Sequence, residues 1–372
     1  MDRKLKIAIN AINLPKNLAG IGYYTYNLVK HISDLTTVEN VYLFTNLQAS
    51  YSFNFTSKKI SIIPINVSNI ILKTFYSQFI LHFKLNNCDL LHSIGNVACL
   101  WTSTPQVVTI HDLCHRAVPA RFSFLKRAYL EIGITLTLKK KLTLICDSDS
   151  TKTDLFNYYK VDSKVNRVHL AIKFQTDSVE IVERSGLLFV GTLEPGKNLE
   201  LALRALNALK KQGIQETLKI VGAKGWKQTH IYKIVTDLKI QNSVEFCGYI
   251  NDESLRLAYK HAKCLLFPSI YEGFGFPILE AQSQGCVVIS ADNSCLREIG
   301  GEGALYFKNM DLNDIIKVTQ ECIQHKSLWL STQKKGYENC NRFSWTKTAL
   351  ETMENYQYAI SSHKAPKKIL GN

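Results

Sequence analysis

Residues 264–280, CLLFPSIYEGFGFPILE, decide the fold. An apolar strand, CLLFPS, runs into a turn containing Gly273 and Gly275, and a helical pattern begins near Pro277, a residue tolerated in a first helical turn. A strand delivered straight into a helix is the repeating unit of a parallel sheet. The free N–H groups and the positive end of the helix dipole make such a turn an anion site, suited to a diphosphate. Glu272 and Glu280 bracket it with seven residues between them, and Glu280 lies about two turns on, where its carboxylate could accept hydrogen bonds from ribose hydroxyls. An ordinary strand-turn-helix with capping acids accounts for the same residues, and at this point both readings stand.

The same pattern repeats outward in both directions. KIAINAIN precedes a glycine-containing turn and the helical run YYTYNLVKHI; QVVTIHDL, LTLICDS, GLLFVGT, TLKIVGA, SVEFCGY and CVVISA follow as further strands. Short apolar strands alternating with helical stretches predict an α/β protein with parallel sheets covered on both faces. A chain of 372 residues has room for two such domains. The polar stretch Ile172 to Ser185 interrupts the pattern, so the expected division is 1–172, 173–345, and a last segment 346–372 with one helix and a basic tail from Ser361.

With 46% apolar and 20% charged residues the composition is that of an ordered globular protein. The basic start MDRKLKIAINAIN is read as the first strand, because Asn10 and Asn13 interrupt its apolar run. No stretch approaches the roughly 18 apolar residues needed to span a bilayer, the nearest being Tyr129 to Leu138, which carries Glu131. The chain is expected to be soluble or peripheral. Ten cysteines without a C-x-x-C pair argue against zinc and for reduced thiols in the cytoplasm. The net charge of +14 is uneven: residues 1–172 hold 20 Lys/Arg against 10 Asp/Glu, residues 173–372 hold 25 against 21. Leu113 to Lys141 has seven basic residues and one acidic, interleaved with aromatic and aliphatic side chains. An anionic membrane surface or acceptor suits it, as does a plain solvated basic face. Nucleic acid is not an expected partner.

Ligands of an open parallel sheet sit at the carboxyl ends of its strands. His111 stands there, at the end of QVVTIHDL, as does Lys197 after GLLFVGT. An imidazole both donates and accepts hydrogen bonds near neutral pH, but His111 satisfied by its neighbour Asp112 is an equal reading, and His115 is close enough to replace it. Asp147-Ser148-Asp149 has the form of a metal-clamping D-x-D. Its place at a helix start, before Thr151 and Asp154, is read instead as capping, and no metal is expected. Gly20-x-Gly22 lacks the third glycine of a dinucleotide fingerprint, since Thr25 stands at that position.

The segment SIYEGFGFPILEAQSQGCVVISADNSCLREIGGEGALYF resembles the E-x7-E region of the large family-four retaining glycosyltransferases of GT-B fold. FVGTLEPGKNLELALRAL, GIGYYTYNLVKHI, TIHDLCHRAVPARF, SDSTKTDL and RFSWTKTALETMENY resemble further segments of that family in the same order, so the resemblance covers nearly the whole chain. It implies two Rossmann-like domains facing across a cleft, with the last helix crossing back to the first domain. It also implies that Glu272 faces the donor sugar, that Lys197 pairs with the diphosphate, and that His111 contacts the transferred sugar. Gly273, Phe274, Gly275, Phe276 and Ile278 would line sugar and phosphate, Glu280 would hold the ribose, and Gly20, Gly22 and Thr192 would complete the substrate site.

Relatives commonly carry Arg where this chain has Gly196, and some carry it at Thr192. Phosphate neutralisation would then rest on Lys197, the helix terminus and the Gly20-Ile21-Gly22 loop. The activity implied is transfer of a hexose from a nucleoside-diphosphate sugar, GDP-mannose favoured, with retention and without metal or cofactor. The implied acceptor is a glycan or lipid-linked intermediate of surface polysaccharide at the inner face of the plasma membrane. A GT-B sugar-nucleotide epimerase and a non-catalytic sugar-nucleotide-binding scaffold are the alternatives.

Overall fold

The computed structural model describes residues 3–15, 20–176, 183–225, 228–308 and 310–364. Part of the polar break (177–182) and most of the basic tail (365–372) lie outside the described residues. The chain forms two compact units, Met1–Leu170 with Ser344–Asn372, and Ala171–Phe343.

Among the described residues of the first unit, seven strands form one sheet: β1 (Leu5–Ala11), β2 (Val38–Asn46), β3 (Ile60–Ile65), β4 (Leu90–Ser93), β5 (Gln106–Ile110), β6 (Thr143–Cys146) and β7 (Val165–Arg167). The second unit has six: β8 (Leu187–Val190), β9 (Leu218–Val221), β10 (Val244–Gly248), β11 (Cys264–Phe267), β12 (Val287–Ala291) and β13 (Ala304–Phe307). All pairings are parallel. Every residue of β5, β6, β8, β11 and β12 is buried, which is why these strands read as unbroken apolar runs: a parallel sheet is covered on both faces.

The two sheets share one topology. Their orders are β3-β2-β1-β4-β5-β6-β7 and β10-β9-β8-β11-β12-β13. In each, the chain starts in the middle, builds to one edge, then returns past its first strand. The reversal falls between β1 and β4 in the first sheet and between β8 and β11 in the second. Connections diverge to opposite faces at such a point and leave a crevice outside the carboxyl ends.

The last helix, Trp345–Lys364, completes the first unit. Trp345 stands edge-on to Tyr23, 5.8 Å away, at the base of the helix Ile21–Asp34. Further along, the buried Tyr356 hydroxyl bonds His92 Nδ1 at 2.7 Å, and His92 Nε2 bonds Thr109 Oγ1 at 2.7 Å. Thr109 in turn bonds the Tyr24 hydroxyl at 3.1 Å. Burial, helped by nearby His111, pushes the His92 pKa down to about 3, so the ring is neutral, with one donor and one acceptor nitrogen. Both flanking hydroxyls can take either role, and the chain of bonds closes without a charge.

Tyr356→Phe strands His92 Nδ1 in a dry core. Urea unfolding followed on the first unit's transition should show a loss of about 1–3 kcal/mol. The native His92 pKa lies below its unfolded value near 6.5, so this residue's contribution is complete above that pH and should decline as pH falls towards 3.

Candidate active site

The loops after β8 and β11 carry the second unit's expected site residues Lys197 and Glu272. After β8 the chain passes Gly191 and exposed Thr192, makes a short turn at Pro195–Lys197, and enters the helix Leu199–Lys211 through Asn198 at φ 52°. The loop after β11 is laced to this turn: the amide of Ile270 donates to the Gly196 carbonyl at 2.9 Å, and Ser269 Oγ donates to it at 3.2 Å. Gly196, where relatives commonly carry Arg, is buried and supplies the backbone that joins the loops. Held this way, Lys197 Nζ donates to Glu272 Oε1 at 2.5 Å, and Ser269 Oγ donates to the same oxygen. Both side chains remain partly exposed, 20% for Lys197 and 16% for Glu272. The loop after β12 supports the carboxylate from below. Glu272 N donates to Ser294 Oγ at 3.2 Å, Asn293 Nδ2 donates to Ser269 O at 3.0 Å, and the Cys295 thiol donates to the carbonyls of Glu272 and Phe274.

Gly275 caps the helix Phe276–Ser283 with φ 94°, a conformation that L side chains rarely adopt, and a Cβ there would stand 3.2 Å from Leu296 Cδ2. Phe274 is buried edge-on to Phe276 at 5.3 Å and Phe343 at 6.0 Å, so it offers a ligand its backbone rather than its ring. Ile278, expected to line the donor site, is fully buried, and its amide donates to Gly275 O at 3.0 Å. It holds the turn and has nothing left to present. Glu280 is set apart from the Lys197–Glu272 pair: it is 6% exposed, and its Oε2 accepts from the Tyr259 hydroxyl at 2.8 Å. Burial raises the pKa of the Glu280 carboxyl, against the pull of Lys173 and Tyr259.

In the first unit the helix beginning after Gly20 (φ 43°) contains buried Gly22 in its first turn and sends Tyr24 edge-on against His111, 5.1 Å between rings. His111 is buried at the end of β5. Its partner is Asp147 rather than Asp112: Nδ1 bonds Asp147 Oδ2 at 2.7 Å, while Asp112 Oδ1 accepts from the amide of Cys114. Nε2 bonds the Ile94 carbonyl at 2.7 Å and must therefore carry a proton. Burial alone would lower the imidazole pKa; the Asp147 charge and hydrogen bond, with the Ile94 carbonyl, outweigh it and leave it raised.

The capping reading of Asp147 is corrected accordingly. Ser148 caps the helix Asp149–Tyr158 by accepting from Thr151 N, and Asp147 faces inward. Asp149 turns instead towards Arg167, 3.7 Å away, so the two aspartates do not converge. His115 is committed elsewhere, with Nε2 on the Tyr159 hydroxyl at 3.0 Å.

Two doubly wound units of parallel strands give the chain the GT-B fold of solved glycosyltransferases. Residues 173–338, nearly the whole second unit, match the family of glycosyl transferases group 1. It is 25% identical over 265 residues to O-antigen chain mannosyltransferase B of Escherichia coli, covering 68% of this chain and 70% of that one. To O-antigen chain mannosyltransferase RfbU of Salmonella typhimurium it is 24% identical over 315 residues, 80% of this chain and 85% of the relative. Among solved structures, Anabaena HepE in complex with UDP-glucose is similar with a TM-score of 0.76 over 95% of this chain and all of that one; at 15% identity the likeness is one of fold alone.

Asp147→Asn removes the charge that raises the His111 pKa. The imidazole titration followed by NMR should move to lower pH in the variant, while Asp112→Asn should leave it nearly in place.

Proposed function

We propose that this protein is a retaining, metal-independent hexosyltransferase that moves mannose from GDP-mannose to a glycan or lipid-linked acceptor. In this reading it acts in O-antigen-like polysaccharide synthesis, in the cytoplasm at the inner face of the plasma membrane. The observation that carries this reading is the convergence of Lys197 and Glu272 at the β8/β11 reversal, beside a glycine-capped helix N-terminus. The names of the two mannosyltransferase relatives support the sugar and the polysaccharide setting. HepE's complex with UDP-glucose supports a nucleotide-sugar donor while differing in base and sugar. Among the described residues no helix is long and apolar enough to cross a membrane, in keeping with a peripheral enzyme.

The donor diphosphate would lie against the amides around Gly275 and Phe276, with Lys197 neutralising the charge that grows on the leaving phosphate as the glycosidic bond breaks. Lys197 already has a carboxylate partner, so the ammonium is pre-aimed rather than searching rotamers when the phosphate arrives. Glu272, steadied by Ser269, would bind sugar hydroxyls, and Glu280, oriented by Tyr259, the ribose. Attack on the same face then passes through an oxocarbenium-like state in which the departing phosphate takes the acceptor's proton. By resemblance His111 would contact the transferred sugar; in the free protein its Nε2 is held by the Ile94 carbonyl.

Lys197→Ala and Glu272→Ala should each lower transfer by about 10²-fold or more with circular dichroism unchanged; near-normal turnover in either would sink the assignment. A thermal-shift screen against GDP-, UDP-, ADP- and dTDP-sugars identifies the base, since a ligand of the native state raises the midpoint. GDP-mannose should give the largest rise. Incubation with donor alone should release little free sugar, whereas an epimerase would release it steadily.

A further inference from the structure

We propose that an exposed apolar face of the first unit, built on Ile70–Lys84 and the outer stripe of the helix Phe124–Lys139, docks this protein on an anionic lipid bilayer. The inference rests on the peripheral placement proposed above and assigns it a surface.

Ile70–Lys84 continues from a helical stretch (Ile70–Phe75) through a π-helical turn (Tyr76–Ile80) into a tight last turn (Leu81–Lys84). Ile71, Phe75, Phe79 and Phe83 recur every fourth residue, and each leaves 45–76% of its surface exposed. In an α-helix a spacing of four drifts by about 40° per step; the wider π-turn offsets that drift between Phe75 and Phe79, while the tight last turn carries Phe83 further round. Phe75 and Phe79 lie 5.1 Å apart, and Phe79 stacks on Trp101 at 5.9 Å, itself 63% exposed.

The opposite side of this segment is anchored. Ser77 and Leu81 are buried, and Gln78 clasps the loop before Trp101, donating to Ala98 O at 2.8 Å and accepting from Leu100 N at 2.9 Å. The same loop is held from its other flank by the helix Phe124–Lys139, where Ala98 N donates to Thr137 Oγ1 at 2.9 Å. That helix buries Ile134, Thr137 and Leu138 and turns out Leu125, Ile132 and Leu136, with half-buried Tyr129 on the same line at helical spacing. Two apolar stripes thus border one loop, each fixed from behind. A monomer rarely leaves so much apolar surface in one region without use for it.

The charge around the stripes selects the partner. Between Glu39 and Asp89 the sequence has no acidic residue, while Lys73 and Lys84 sit on the first segment. Around the second stand Lys126, Arg127 and Lys139 to Lys141; the helix's own acid, Glu131, is bound by Arg116 and Tyr159, and of these cations Lys141 pairs with Asp162, at 2.5 Å. A second copy on a two-fold axis would set these cations against their own images. Anionic headgroups complement them, and aromatic and aliphatic tips inserted beside lysines are the pattern of interfacial binding.

The test is co-sedimentation of the full chain with vesicles of one-third phosphatidylglycerol and two-thirds phosphatidylethanolamine, against phosphatidylcholine alone, at low salt and at about 0.15 M. The native protein should bind the anionic vesicles with a blue shift of Trp101 emission that W101F removes. Phe75→Ser/Phe79→Ser/Phe83→Ser should weaken binding at least tenfold, and Lys73→Glu/Lys84→Glu should abolish the preference for anionic lipid. All substituted side chains are exposed or on the surface segment, and an unchanged thermal midpoint verifies folding. Native protein that stays in the supernatant with both vesicles overturns the proposal, as does a triple variant that binds like the native chain. A native dimer in sedimentation that the triple variant makes monomeric, without vesicle binding, also overturns it and gives the face to a second copy. The rise in midpoint with donor nucleotide should be the same in all these proteins, so failure on vesicles is distinguishable from failure of the donor site.

Discussion

Two neighbouring parallel strands whose following chains leave towards opposite faces of the sheet cannot have their carboxyl ends roofed by the same connection. That constraint operates between β8 and β11, and the chemistry of the second unit depends on it. The loop after β8 brings Lys197 and the loop after β11 brings Glu272. The Gly196 carbonyl, shared by Ile270 and Ser269, converts two loops into one platform. Moving Lys197 would therefore move Glu272. An Arg at position 196, as in relatives, would enlarge the positive charge while keeping that backbone role, so Gly196 marks a reduction in charge and not a broken platform.

The pairs of charged groups in the two units differ in kind. Lys197 and Glu272 meet at a partly solvated crevice, where water screens them and neither partner is strongly committed. His111 and Asp147 meet in a closed core at 2.7 Å, where an unpaired charge would be costly. The first arrangement suits exchange with an incoming anion; the second suits holding a backbone segment, Ile94 to Asn96, in place. Asn96 contributes from the other direction, accepting from the amide of His111 at 2.8 Å.

Fold and donor crevice were legible because they depend on local order: an apolar run, a glycine turn, an apolar helix face. β8, β11 and β12 are four or five buried residues each and stand out as such. β7 is three residues long, and β4 was too short to separate from its surroundings, so neither had a period to read. Lys197 and Glu272 were singled out through the family resemblance, and the structure brings the two side chains together. The roles of Ser269, Tyr259 and Asp147 were not legible, because each acts through a contact set by tertiary packing. Tyr259 lies 21 residues before Glu280 and Asp147 lies 36 after His111. The sequence signal at Asp147, an acid before Ser-Asp-Ser-Thr, is the same whether the side chain caps a helix or turns inward; only the burial of β5 and β6 decides it. Ile278, named with its neighbours from the resemblance, has its side chain in the core.

The bond between Tyr356 and His92 joins residues 264 positions apart. A ribosome releases β1 to β7 first, yet the surface those strands present to Trp345–Lys364 has no cover until the final helix is made. The intervening unit, Ala171–Phe343, is contiguous and can close as soon as it emerges. The order of completion is thus the reverse of the order of synthesis: the unit begun first is finished last, and its core spends most of translation waiting for the far end of the chain.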